Sequence, residues 1–189
     1  LPGQGQRLSE AFVLDLSDGS LILAEKKYEV NGEKCFYFSE LFLECRAPLS
    51  QKSKLDIVTR AVDQVAKKYY GDEDAQKKME IKDIICNELE EQGEIKVSEL
   101  REKVFPGSPE MLEELDEKLD RYNLSYETVA PKNEQTIKKF QKQKLYTDTG
   151  IEITIPMEEY RNPDHVEFIT NMDGTISVLI KNIGMLSSK

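Results

Sequence analysis

Apolar residues alternate with polar ones toward both ends of the chain and recur at helical steps between them, so the pattern predicts strands, then helices, then strands again. Apolar runs at 11–16, 21–30 and 34–45 are separated by Asp18 with Gly19 and by Asn31 with Gly32. Those pairs favour two-residue hairpin turns, whose central positions need positive φ. A β-meander is predicted, with Ser39 and Glu40 interrupting its last run as a turn or bulge.

The period then changes. Val58, Ala61, Val62, Val65 and Tyr69 recur at three- and four-residue steps, which places them on one face of a helix over 55–70. A second helix over 72–91 carries Ile81, Ile84, Ile85 and Leu89 and stops at Gly93, a residue suited to the left-handed cap. Ser98 opens a shorter helix with Leu100 and Val104, ended by Pro106 and Gly107. Ser108 before Pro109 predicts a hydroxyl cap and a proline at the first helical position. The helix that follows turns Leu112, Leu115, Leu119 and Tyr122 inward.

Past Asn123 the pattern is mixed. It predicts a strand over 125–130, a helix over 135–141, strands at 145–147 and 151–155 about the turn 148–150, and a hairpin of 166–170 with 176–181. The fold class expected is α+β: antiparallel β-sheet regions from both ends of the chain, pairing into one sheet, with an inserted acidic helical subdomain. The divisions expected are 1–70, a β-meander plus helix; 71–128, the acidic helices; and 129–189, an α/β segment with a C-terminal hairpin, packing with 1–70.

Charge sharpens this division. The net charge of −10 comes entirely from 71–128, where 18 Asp and Glu face 8 Lys and Arg; 1–70 balances at 10 against 10 and 129–189 at 8 against 8. With 39% apolar and 33% charged residues the composition is that of an ordinary globular chain, which excludes a disordered one. No apolar run reaches the ~20 residues of a membrane span, and no signal peptide is present, so a cytoplasmic protein without membrane contact is expected. The chain begins Leu1, Pro2, Gly3 rather than with Met, and a fragment of a longer protein is expected.

Catalytic and metal chemistry finds no support in the pattern. There is no GxSxG, HExxH, phosphate-binding GxxxxGK[ST] or strand-coupled GxGxxG. Cys35, Cys45 and Cys86 are an odd set with no CxxC spacing, expected as core hydrophobes. His165 stands alone in a turn, and Asp148, Asp164 and Asp173 lie where aspartate bonds nearby backbone amides. No catalytic residue, cofactor or metal is therefore assigned, and an enzyme is not expected.

Two surface constellations remain. Lys132, Lys138, Lys139, Lys142 and Lys144 share a window whose single acid is Glu134, with Phe140 and Tyr146 interleaved. On a helix Lys138, Lys139 and Lys142 project to one side, where with Lys144 they can meet phosphates. The bland alternative is a solvated lysine face with Phe140 in the core. A second set, Lys52, Lys54, Arg60, Lys67 and Lys68, is scattered and diluted by Asp56 and Asp63. The other constellation is acidic: Glu110, Glu113, Glu114, Asp116, Glu117 and Asp120 lie outward on the helix after Pro109, either as a solvated face or as a docking surface for a basic partner.

The stretches 9–16 (SEAFVLDL), 38–47 (FSELFLECRA), 58–62 (VTRAV), 147–155 (TDTGIEITI) and 166–183 (VEFITNMDGTISVLIKNI) resemble the bacterial nucleoid-associated protein family of the NdpA type, in the C-terminal portion of a longer member. The resemblance spans nearly the whole chain and implies a non-enzymatic protein of the cytoplasm and nucleoid. It carries over no DNA-contacting residues.

Two functions are thus expected in order. The first is sequence-tolerant DNA binding, by Lys138, Lys139, Lys142 and Lys144 or by the absent N-terminal part, in a homodimer that doubles the contacts. The second is a protein-interaction or oligomerisation module whose Glu113, Glu114 and Asp120 dock a basic protein, with no direct DNA contact by this chain.

Overall fold

A computed structural model describes residues 10–19, 21–30, 32–44, 48–71 and 74–187. The fold is α+β, with antiparallel β regions toward both ends and acidic helices between them. Two compact units divide at Leu49 and Ser50, one helix earlier than the sequence division at 70.

The first unit carries four short strands: β1 (Ala11–Leu14) pairs with β2 (Leu21–Ala24), and β3 (Lys27–Val30) with β4 (Glu33–Phe36). The expected run 21–30 is broken at Glu25 and Lys26, so two hairpins replace the meander. The end of the third run departs further. Tyr37–Phe42 is a π-helical segment that stacks Phe38 between Phe12 and Phe42, with centroids 5.1 and 5.6 Å apart. Two carboxylates fix that segment: Glu25, from before it, accepts from the Ser39 amide at 3.1 Å, and Glu40, within it, accepts from the Phe36 amide at 2.8 Å. Cys35 is partly exposed rather than core, and Cys45 lies outside the described residues.

The second unit is built on α1 (Gln51–Tyr70), capped by the Ser50 hydroxyl, which accepts from the Ser53 amide, and ended by Gly71 at φ 83°. Its buried face is Leu55, Val58, Ala61, Val62, Val65 and Ala66. The α2 helix (Ala75–Glu91) is capped by Asp74 and buries Ile81, Ile85 and Leu89. Next come β5 (Ile95–Lys96), α3 (Val97–Val104) and α4 (Pro109–Asp120), closed by β6 (Thr128–Val129), which pairs with β5. These elements share one core, in which Phe105, Leu100, Leu115, Leu119 and Leu124 are almost wholly buried. Pro109 begins α4 as expected, but Ser108 caps it through its carbonyl and not its hydroxyl. Because α4 stops at Asp120, Tyr122 stays exposed instead of turning inward.

Beyond the core lie α5 (Glu134–Lys138), β7 (Lys142–Tyr146) with β8 (Glu152–Pro156), α6 (Met157–Tyr160), and β9 (Val166–Thr170) with β10 (Ile176–Ile180). Every ladder among the described residues has two strands, so separate strand pairs stand where one shared sheet was expected. The strand expected over 125–130 shrinks to Thr128 and Val129.

Candidate nucleic-acid interface

The segment carrying the lysines is anchored at its start by core contacts. Asn133 caps α5 by accepting from the Gln135 amide at 2.8 Å, Thr136 is buried, and Ile137 and Phe140 pack against the helical core. Phe140 is therefore half-buried against the core rather than free on the surface. The helix ends at Lys138, three residues before the expected boundary, and Lys139 is its cap.

The change of period explains why. From Lys142 the chain alternates in exposure, with Gln143 and Leu145 inward and Lys142, Lys144 and Tyr146 outward. Such alternation suits a strand and not a helix. The partner is β8, in the register Lys142 with Pro156, Lys144 with Thr154 and Tyr146 with Glu152. The four candidate lysines thus do not share a helix face. Lys138 and Lys139 end a short helix, and Lys142 and Lys144 stand on one face of a β-ribbon.

Three sets of bonds hold this ribbon to α2. The buried Gln143 amide donates to the Met79 carbonyl at 2.9 Å, and the Lys82 ammonium donates to the Lys142 carbonyl. Arg161, just past α6, pairs with Asp83 at 2.6 Å and Glu90 at 2.8 Å. The Met157 amide donates to the Gln141 carbonyl at 2.8 Å, which ties α6 to the start of β7. Burial lowers the Lys82 pKa, and the charge of Lys144 adds to that.

Three of these four lysines form no ion pair among the described residues. Lys138 reaches Glu134 at 3.3 Å, both side chains being well exposed. Lys139, Lys142 and Lys144 have no carboxylate partner among the described residues and are exposed. By contrast Lys77, Lys96, Arg101, Lys103 and Lys118 of the helical region sit in ion pairs. Of the scattered set on α1, Lys54 is paired with Glu127 and Lys68 with Glu114.

The model of a family described as nucleoid-associated protein YejK matches residues 4–185. The chain belongs to this family. No curated protein and no solved structure gives a significant match.

In this family member the acidic candidates differ in their bonded partners. Glu114 is tied to Lys68 and Lys118, and Asp120 accepts from the Ser125 hydroxyl. Glu113 is exposed without a bonded partner among the described residues. The order α3, turn, α4 is that of a helix-turn-helix, in which the second helix enters the major groove. Here α4 exposes Glu110, Glu113, Glu117 and Asp120, and phosphates repel that face. DNA contact by α4 is thereby disfavoured.

The remaining chemistry is quiet. Burial, reinforced by Glu90, pushes the Cys86 thiol up to about 11, which keeps it protonated and unreactive at neutral pH. His165 is bonded through Nδ1 to Glu159, at the edge of a cleft of about 350 Å³ lined by Ile153, Ile155, Val166 and Ile180. Asp173 accepts from the amide and hydroxyl of Thr175, as a turn aspartate does. Among the described residues no group of three His, Cys, Asp or Glu could hold a metal ion, and no helix is long and apolar enough to cross a membrane.

Proposed function

We propose that this nucleoid-associated family member binds DNA directly and without strong sequence preference, as a non-enzymatic protein of the bacterial nucleoid. The observation that carries this reading is that Lys139, Lys142 and Lys144 are exposed and form no ion pair among the described residues, beside Lys82. Lys138 contributes less because Glu134 shares its charge. Lysine ammonium groups meet phosphates as point charges and read no base edges, so the binding they give tolerates any sequence. Three such contacts give a duplex-binding salt slope on the order of −3, and a homodimer doubles it.

The test is a titration of fluorescently labelled DNA at low and moderate salt with the wild-type chain and with the variant K138E/K139E/K142E/K144E. Binding that weakens steeply with salt and is lost in the variant is expected. Equal binding by the variant would move the DNA surface elsewhere.

A further inference from the structure

We infer that the β7–β8 ribbon is a platform for single-stranded DNA, with Tyr146 as its base-stacking residue. This rests on the DNA-binding reading of the same lysines and adds the form of nucleic acid they take. Lys142, Lys144 and Tyr146 occupy alternate positions of one strand, so they share a face and are spaced by about 7 Å per step. The Tyr146 ring is 67% exposed and takes part in no ring contact or hydrogen bond among the described residues. An aromatic face held open beside cations is what an unstacked base needs: the ring stacks on the base while the ammonium groups hold its phosphates.

A duplex offers this ribbon less. Its bases are already stacked, so the Tyr146 face goes unused. It also carries one charge per ~1.7 Å of axis, and a ribbon with few lysines neutralises few of those charges. Across the ladder, Thr154 faces Lys144 with a hydroxyl, and Glu152 faces Tyr146. The carboxylate repels phosphate from the Tyr146 end of the ribbon and leaves that end to a base. The phosphates are thus sorted toward Lys142 and Lys144.

The experiment compares binding of labelled oligo(dT) and of a duplex of equal length by the full chain, for wild type, Y146A, Y146F and K142E/K144E. Circular dichroism and thermal melting of each variant check its folding. Tighter wild-type binding of oligo(dT) than of duplex is expected, with Y146A losing about tenfold on oligo(dT) and less than about twofold on duplex. Y146F keeps the ring and is expected to bind as wild type. Unchanged oligo(dT) binding by Y146A, or an equal loss on both probes, would overturn the stacking role while leaving the lysine reading intact. Unchanged binding of both probes by K142E/K144E would overturn the lysine reading and this inference with it.

Discussion

The acidic helices and the β7–β8 ribbon both carry lysines, and the difference lies in what stands next to them. On the helices, Lys96 faces Glu99, Lys103 faces Glu88, and Arg101 faces Asp116 and Glu102. On the ribbon, Lys142 and Lys144 have Pro156 and Thr154 across the ladder. A cation within ion-pair reach of a carboxylate presents little field to a ligand, whereas an uncompensated pair of cations does. At physiological salt, fields are screened beyond about 8 Å, so what a ligand meets at the ribbon is set by Lys142, Lys144 and Glu152 on its own face more than by the −10 of the whole chain.

Phe105 is wholly buried in the core shared by α1 to α4, and Phe105→Ala is expected to cost about 3–5 kcal/mol, read as a lower denaturation midpoint. The next largest effect falls at the join of the two regions. Gln143→Leu removes the side-chain donor that joins β7 to the Met79 carbonyl of α2, at about 0.5–1.5 kcal/mol, and loosens the ribbon on α2, so both stability and DNA affinity are expected to fall.

Arg161→Ala is milder because Asp83 and Glu90 are partly exposed, and a loss of up to about 1 kcal/mol is expected. Its pH dependence has a definite sign. The Arg161 guanidinium holds the Glu90 carboxyl below the usual carboxylate range. A depressed folded pKa adds stability that is complete above the unfolded value of about 4.3 and is lost as pH falls through the folded one. The stability gap between wild type and Arg161→Ala, followed by denaturant titration, is expected to be widest at neutral pH and to close below about pH 4.

The smallest effect on stability is the most informative about the ribbon. K142E/K144E changes only exposed side chains and is expected to stay within about 0.5 kcal/mol of wild type in thermal or chemical denaturation. Its effect on DNA binding should be large by comparison. A variant that is folded but no longer binds separates the work of the lysines from the work of the core.

The helical region was legible because its period is strong: Val58, Ala61, Val62 and Val65 are buried as their spacing requires, and Pro109 starts α4 where a proline should. The strands were legible as apolar runs but not in their partners, because pairing between sequence-distant strands is set by tertiary contacts. The lysine segment shows the limit most clearly. Lys138, Lys139 and Lys142 match a helical spacing, yet the alternation of Lys142, Gln143, Lys144, Leu145 and Tyr146 is that of a strand facing Glu152–Pro156. Tertiary pairing decided between two periods that overlap over a few residues. The π-helical segment Tyr37–Phe42 was hidden for a related reason, since the stacking of Phe38 between Phe12 and Phe42 depends on a residue 26 positions away.

The central claim is that the ribbon lysines meet DNA while the acidic helices do not. The most direct measurement is binding of labelled DNA at low and moderate salt by wild type, by K138E/K139E/K142E/K144E, and by a variant with Glu113 and Glu117 changed to Gln. Salt-sensitive binding that is lost in the lysine variant and kept in the glutamine variant is predicted. Full binding by the lysine variant would contradict it.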